Sequence, residues 1–210
     1  MTSTMRLNSQ QLLDLARHGK ADCLGKLLLH FENYLKLLVA TQLDEKLRTR
    51  LNPSDIVQES YFDAHRDFEK FNGHTADEFL AWLRTILVNN MSREVERHIL
   101  SAKRDVRREV RMDRLHTALE RSAARMEFAF VDRASSPSAQ VDRHEHAVDL
   151  ANRLAELPRD YRDVLVLRHC EGLSFKEVAE RMGRSAGAVR MLWLRAMEMI
   201  RHRMNQEEAT

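Results

Sequence analysis

The stretch "GLSFKEVAERMGRSAGAVRMLWLRAMEMI", residues 172–200, holds two apolar-periodic segments joined through "MGRSAGAVR". Counted from Phe175, a small residue falls at the fifth position (Ala179), a glycine at the ninth (Gly183), and apolar residues at the fifteenth (Val189) and eighteenth (Leu192). This is the spacing of a helix-turn-helix. Ala179 lets a second helix cross close to the first, Gly183 permits a left-handed turn, and Val189 and Leu192 press the second helix onto the core. Ser185 is placed to cap that second helix. The small residues Ala186, Gly187 and Ala188 in its first turn let backbone amides at the positive helix end meet a phosphate. Arg184, Arg190 and Arg195 then stand where long cations reach phosphates or guanine edges in a major groove. An ordinary helical hairpin with a solvated basic face is the competing reading. It leaves the joint placement of small, turning and basic positions unexplained.

Charge distribution around this stretch points the same way. The net charge is only +2, yet residues 181–203 hold six bases against one acid, and residues 55–78 hold seven acids against two bases. Residues 93–125 add ten bases against six acids. Acidic and basic faces therefore belong to different segments. With 43% hydrophobic and 31% charged residues, six glycines and three prolines among 210 residues, the composition predicts a folded, mostly helical protein of two domains. Cys23 and Cys170 lack a metal-type spacing and read as reduced thiols of a cytoplasmic protein. "MTSTMRLNSQ" lacks an apolar signal core, and no apolar run approaches the roughly 20 residues that span a bilayer, so export and membrane insertion are not expected.

Towards the N-terminus, Ser9 is placed to cap a helix over "QQLLDLARHG", and a second helix carries Leu24, Leu27, Leu28, Phe31, Tyr34, Leu35 and Leu38 at helical spacing. Asn52 and Pro53 begin another, with Asp55 at the positive end of its dipole and Val57, Tyr61, Ala64 and Phe68 as its buried stripe. Phe71-Asn72-Gly73 ends it, and the period resumes with Phe79, Trp82, Leu83, Ile86 and Leu87, where Trp82 reads as a core anchor. Residues 103–125 are densely charged and read as a solvated helix or extension, and "ASSPSAQ" (134–140) as a flexible linker. The expected division is a first domain over 1–104, a connector over 105–146 and a second domain over 147–206.

The segment "LPRDYRDVLVLRHCEGLSFKEVAERMGRSAGAVRMLWLRAMEMIR" resembles region 4 of sigma-70 family initiation factors of the extracytoplasmic-function (ECF) type. "DIVQESYFDAHRDFEKFNG" and "FLAWLRTILVNNMSREVERH" resemble region 2 of the same family, and the two motif sets together cover about two thirds of the chain. The resemblance implies an all-α, two-domain factor that binds core RNA polymerase and promoter DNA, promotes strand opening, and is itself neither an enzyme nor a user of cofactors, metals or small-molecule substrates. It also leaves room for an anti-sigma factor. Asp55, Gln58 and Glu59 match the polymerase-docking helix, whose polar face can pair with basic groups on a partner. Phe71, Asn72 and His74 match the loop that receives a flipped base of the -10 element, and Arg84, Asn89, Arg93 and Arg97 match or flank the melting helix as a strand-facing side. Unstacking a base costs a few kcal/mol and a stacked base returns about 1–3 kcal/mol, so binding energy can select an opened strand without ATP. Arg184, Ser185, Gly187, Ala188, Arg190, Met191 and Arg195 match the surface that meets the -35 element. After Arg190, many relatives carry polar and basic residues where this chain has Met191-Leu192-Trp193-Leu194, which shifts readout towards apolar contact or DNA shape.

Two other readings compete. A dimeric helix-turn-helix regulator would bind duplex DNA with a similar C-terminal unit but would not need residues 55–98. A metal or acid-base enzyme could use His144 and His146, yet no third ligand stands at a recognised spacing.

Overall fold

The computed structural model describes residues 7–43, 50–99, 107–129 and 143–207, and every regular element among them is a helix or helical turn. The expected linker 134–140 lies outside the described residues. The chain divides into two compact units, Met1–Ala118 and Leu119–Thr210.

The first unit contains α1 (Ser9–Arg17), α2 (Ala21–His30), α3 (Glu32–Gln42), α4 (Pro53–Asp67), a 3-10 turn (Phe68–Lys70) and α5 (Ala76–Ile99). Asn8, not Ser9, caps α1: its side chain accepts from the Gln11 amide at 2.9 Å while Gln11 Oε1 accepts from the Asn8 amide at 3.1 Å. Ser9 is buried one position later. The long apolar stretch expected as one helix breaks at Phe31, and its buried ring lies 6.2 Å from that of Phe79. α4 begins as the sequence leads one to expect, with the Asn52 side chain accepting from the Ser54 amide at 3.1 Å and Pro53 first in the helix. A buried polar ladder joins α4 to α5. Ser60 donates to the Ile56 carbonyl at 2.8 Å, Asn90 donates to Ser60 Oγ at 3.1 Å, and Arg93 donates to Asp63 at 2.8 Å and to Asn90 Oδ1. Burial pushes the Asp63 carboxyl up, but hydrogen bonds from Arg93 and Asn90 and the nearby Arg66 outweigh it and hold the group below its usual range.

The second unit starts inside α6 (Arg107–Phe128) and continues through α7 (Arg143–Ala155), α8 (Arg159–Leu165), a π turn (Val166–Cys170), α9 (Phe175–Met182) and α10 (Ala186–Glu207). The C-terminal half of α6 is therefore not solvated connector. Leu119, Ala123 and Met126 recur every third or fourth residue and are buried. Arg125 donates to the Glu171 carbonyl at 2.5 Å and reaches the Cys170 carbonyl at 3.5 Å. His144 Nε2 lies 3.1 Å from the Glu127 carboxylate, and His146 Nε2 lies 3.1 Å from the Ala129 carbonyl. α10 packs along α7, α8 and α9. Cys23 and Cys170 are buried free thiols, and burial pushes the Cys170 thiol up to about 12.

Two residues past the π turn, Gly172 has φ 75°, and an added Cβ there would sit 2.6 Å from the Arg125 guanidinium. Gly183 also has positive φ, at 62°, but an added Cβ there meets nothing within 4 Å. Gly183→Ala should therefore cost only backbone strain, about 1 kcal/mol, whereas Gly172→Ala adds displacement of Arg125 and should cost about 2 kcal/mol or more. Thermal unfolding of the two full-length variants, followed by circular dichroism, checks the order.

Candidate functional site

In the second unit the two helices of the opening stretch take their expected places. α9 starts with a capping box, in which Ser174 Oγ accepts from the Glu177 amide at 3.3 Å and the Glu177 carboxylate accepts from the Ser174 amide at 2.7 Å. It stops at Gly183 in the left-handed conformation, and the Arg184 amide reaches back to the Ala179 carbonyl at 3.0 Å. Ser185 Oγ then accepts from the Ala188 amide at 3.2 Å and caps α10. Val189, Ala196 and Ile200 are fully buried, while Leu192 is only half-buried and holds less of the core than its spacing predicts.

The opposite face of α10 is open: Ser185, Gly187, Ala188, Arg190, Met191, Leu194 and Arg195 are exposed. Arg184 is also exposed, but its guanidinium is paired with the Asp160 carboxylate in α8. Behind this face, the indole N–H of Trp193 donates to His169 Nε2 at 3.0 Å, and the two rings stack at 6.1 Å. Phe175 meets Trp193 edge-on at 5.6 Å and carries Arg168 over its face at 5.0 Å and Arg190 at 5.7 Å. Burial, and then the charge of Arg168, lower the His169 pKa. The neutral ring therefore carries its proton on Nδ1 and accepts at Nε2.

In the first unit, Asp55, Gln58 and Glu59 are exposed on one face of α4. Phe62 continues that face and is 67% exposed, an aromatic the periodicity did not single out. Past α4, the loop to α5 is held by α1: Arg17 donates to the Gly73 carbonyl, and Gln10 donates to the His74 carbonyl at 3.0 Å and accepts from the Ala76 amide at 2.8 Å. The Glu78 carboxylate accepts from the His74 amide at 2.7 Å and the Thr75 amide at 3.0 Å, which holds its pKa down. Asn72 and His74 are exposed. Phe71 is half-buried, its ring 5.4 Å from Phe79 and 5.2 Å from Trp82. A cavity of about 450 Å³ lies beside it, lined by Arg17, Leu24, His65, Phe68, Glu69 and Phe71 among others.

Of the four expected strand-facing residues of α5, Asn89, Arg93 and Arg97 recur every fourth residue on one exposed side, and Arg84 does not join them. Arg84 is 6% exposed and donates to the Tyr34 hydroxyl in α3 at 3.2 Å, so it belongs to the interior. Nine residues separate it from Arg93, about two and a half helical turns, which puts the two on opposite sides. Arg93 is occupied by Asp63 and Asn90, and Arg97 donates to Glu94 at 2.5 Å. Asn89 is exposed, whereas its neighbour Asn90 is the buried rung of the α4–α5 ladder.

Residues 147–200 match the family model "Sigma-70, region 4". The ECF RNA polymerase sigma-E factor of Haemophilus influenzae is 28% identical over 95% of this chain and 96% of its own length. The RNA polymerase sigma-H factor of Pseudomonas aeruginosa is 27% identical over 91% of each chain. The chain is thus similar, over nearly its whole length, to ECF-type sigma-70 factors. That likeness supports a factor for transcription initiation by RNA polymerase, and the open face of α10 lies within the region 4 match. The solved complex of CnrH with the cytosolic domain of CnrY covers 94% of this chain at 20% identity and a TM-score of 0.33, an overlap that carries no argument. Among the described residues, no helix is long and apolar enough to cross a membrane.

Two measurements test this assignment of roles. Arg84→Ala removes the buried bond to the Tyr34 hydroxyl and the packing of the arginine stem, and should lower stability by about 1–3 kcal/mol, whereas Asn89→Ala should stay within about 0.5 kcal/mol of the parent, both read by urea unfolding. For His169, the folded-state pKa lies below the unfolded value near 6.5, so the unfolded chain binds the proton first. Stability should be intact above about pH 6.5, fall as pH drops from there to the folded pKa, and level off below it. Unfolding monitored by Trp fluorescence should show this acid loss in the parent and a weaker one in His169→Gln.

Proposed function

We propose that this ECF factor recognises promoters at two places: region 4 grips the -35 duplex through α10, and region 2 docks on core polymerase through α4 and receives an unpaired base of the -10 element at the loop 71–75. The observation that carries the reading is the outward face of α10, where small residues and Arg190 and Arg195 stand exposed on a helix aimed by a capped left-handed turn. In region 2, the cavity beside Phe71 supports base capture. It offers the aromatic faces of Phe68 and Phe71 for stacking with Arg17, His65 and Glu69 as polar partners, in a volume within the range of small-ligand sites. Asn72, His74 and Asn89 remain outward for the strand, while Arg84 and Arg93 act by holding α5 in place. Region 2 thus offers a preformed loop beside an exposed face of α5 that carries Asn89, Arg93 and Arg97.

On this reading the polymerase-facing side of α4 is Asp55, Gln58 and Glu59 around the exposed ring of Phe62, an aromatic anchor with a polar rim. The protein acts in the cytoplasm, needs no cofactor, leaves the chemistry of RNA synthesis to polymerase, and is open to control by an anti-sigma factor that covers either face.

The test is reconstitution. Core polymerase with the full chain should initiate from promoter DNA and render bases near -10 reactive to permanganate, and Phe62→Ala should weaken core binding about tenfold or more. No binding to core polymerase, together with dimers on palindromic duplex, would establish a conventional regulator instead.

A further inference from the structure

Met191 and Leu194 are large apolar side chains left in water, 52% and 50% exposed, on a surface otherwise suited to a polyanion. They are three residues apart and so share one face of α10, flanked by exposed Arg190 and Arg195. Upstream on the same face, Gly187 and Ala188 present almost no side chain, which lets the helix sink into a groove until the longer Met191 and Leu194 reach its floor. Arg190, Arg195 and Arg201 are exposed along α10, so an anionic occupant suits this face. An apolar pair inside a cationic ring calls for a ligand that is charged at its rim and apolar at its centre. Duplex DNA meets that description at one atom type in the major groove, the C5-methyl of thymine, with phosphates on either side.

We infer that Met191 and Leu194 are specificity residues that read thymine methyl groups in the duplex held by α10. The inference rests on the proposed promoter-binding role of region 4 and names the base chemistry it selects. The unbranched, flexible thioether of Met191 can follow a methyl group in more than one register, and the Leu194 side chain supplies a second, stiffer contact. The arginine of this helix nearest to Met191 is partly drawn to its own domain, with Arg190 lying 5.7 Å from the Phe175 ring. Apolar contact therefore takes a share of discrimination that hydrogen bonding to guanine would otherwise supply.

The experiment removes the methyl group without touching the protein. Holoenzyme reconstituted from core polymerase and the full chain selects a duplex from a pool randomised across the -35 region, and the enriched duplex is remade with deoxyuridine replacing one thymine at a time. At one or two positions the loss of a single methyl should weaken binding by about threefold to fivefold, the scale of one buried methylene. Met191→Ala or Leu194→Ala should abolish that sensitivity at its own position while binding the uracil duplex as the parent does. Arg195→Ala should instead weaken all duplexes alike and lower the salt slope by about one. If an enriched duplex tolerates uracil at every thymine, the methyl reading is overturned and the apolar pair is left for a protein partner, with promoter binding intact. If holoenzyme enriches no duplex, the promoter-binding role and this inference fall together.

Discussion

Everything the C-terminal unit presents to the outside depends on the backbone turn between α9 and α10. Gly183 adopts a left-handed conformation that closes α9 through the bond from the Arg184 amide to the Ala179 carbonyl, and Ser185 reopens the chain as a helix within two residues. Val189, Ala196 and Ile200 then bury one side of α10, which forces Gly187, Ala188, Met191, Leu194 and Arg195 to the other. Trp193 and His169 lock the helix from behind through a bond that exists only while the imidazole is neutral. The outward surface of α10 is thus the residue of a packing problem, since whatever the core does not take from the helix faces outward.

The first unit solves a different problem with polar groups. Its longest helix, α5, is registered against α4 by Ser60, Asn90, Arg93 and Asp63 and against α3 by Arg84 and Tyr34. Burying charged groups such as Asp63 and Arg84 is costly unless they are paired; Arg93 pairs with Asp63 from the surface and Arg84 with Tyr34 inside, which fixes one register between helices. Arg84 and Arg93 thereby tie α5 to its neighbours, while α1 clamps the loop 71–75 through Gln10 and Arg17. A loop held this way is ordered before any ligand meets it.

Charge and apolarity divide the labour between the units. The α4 face couples acids with an exposed phenylalanine, a combination suited to a protein surface, and the α10 face couples arginines with an exposed methionine and leucine, suited to a nucleic acid. The family match over residues 147–200 fits the second of these directly.

The sequence alone determined the helix-turn-helix, because its turn is a local event: a glycine, a cap and a period of small and apolar residues lie within one window, and no distant partner is needed to specify them. The same holds for the start of α4 at Asn52-Pro53. Tertiary structure alone decided the roles of the arginines. Arg84, Arg93 and Arg184 look like free cations in a one-dimensional reading, and their partners Tyr34, Asp63 and Asp160 stand 50, 30 and 24 residues away. It also decided the fate of α6, whose sparse Leu119, Ala123 and Met126 are too diluted by charge to announce a core face until α7 and the π turn supply the other side. Local backbone chemistry is written in neighbouring residues, whereas the pairing of a long side chain depends on which distant carboxylate or hydroxyl the fold carries to it.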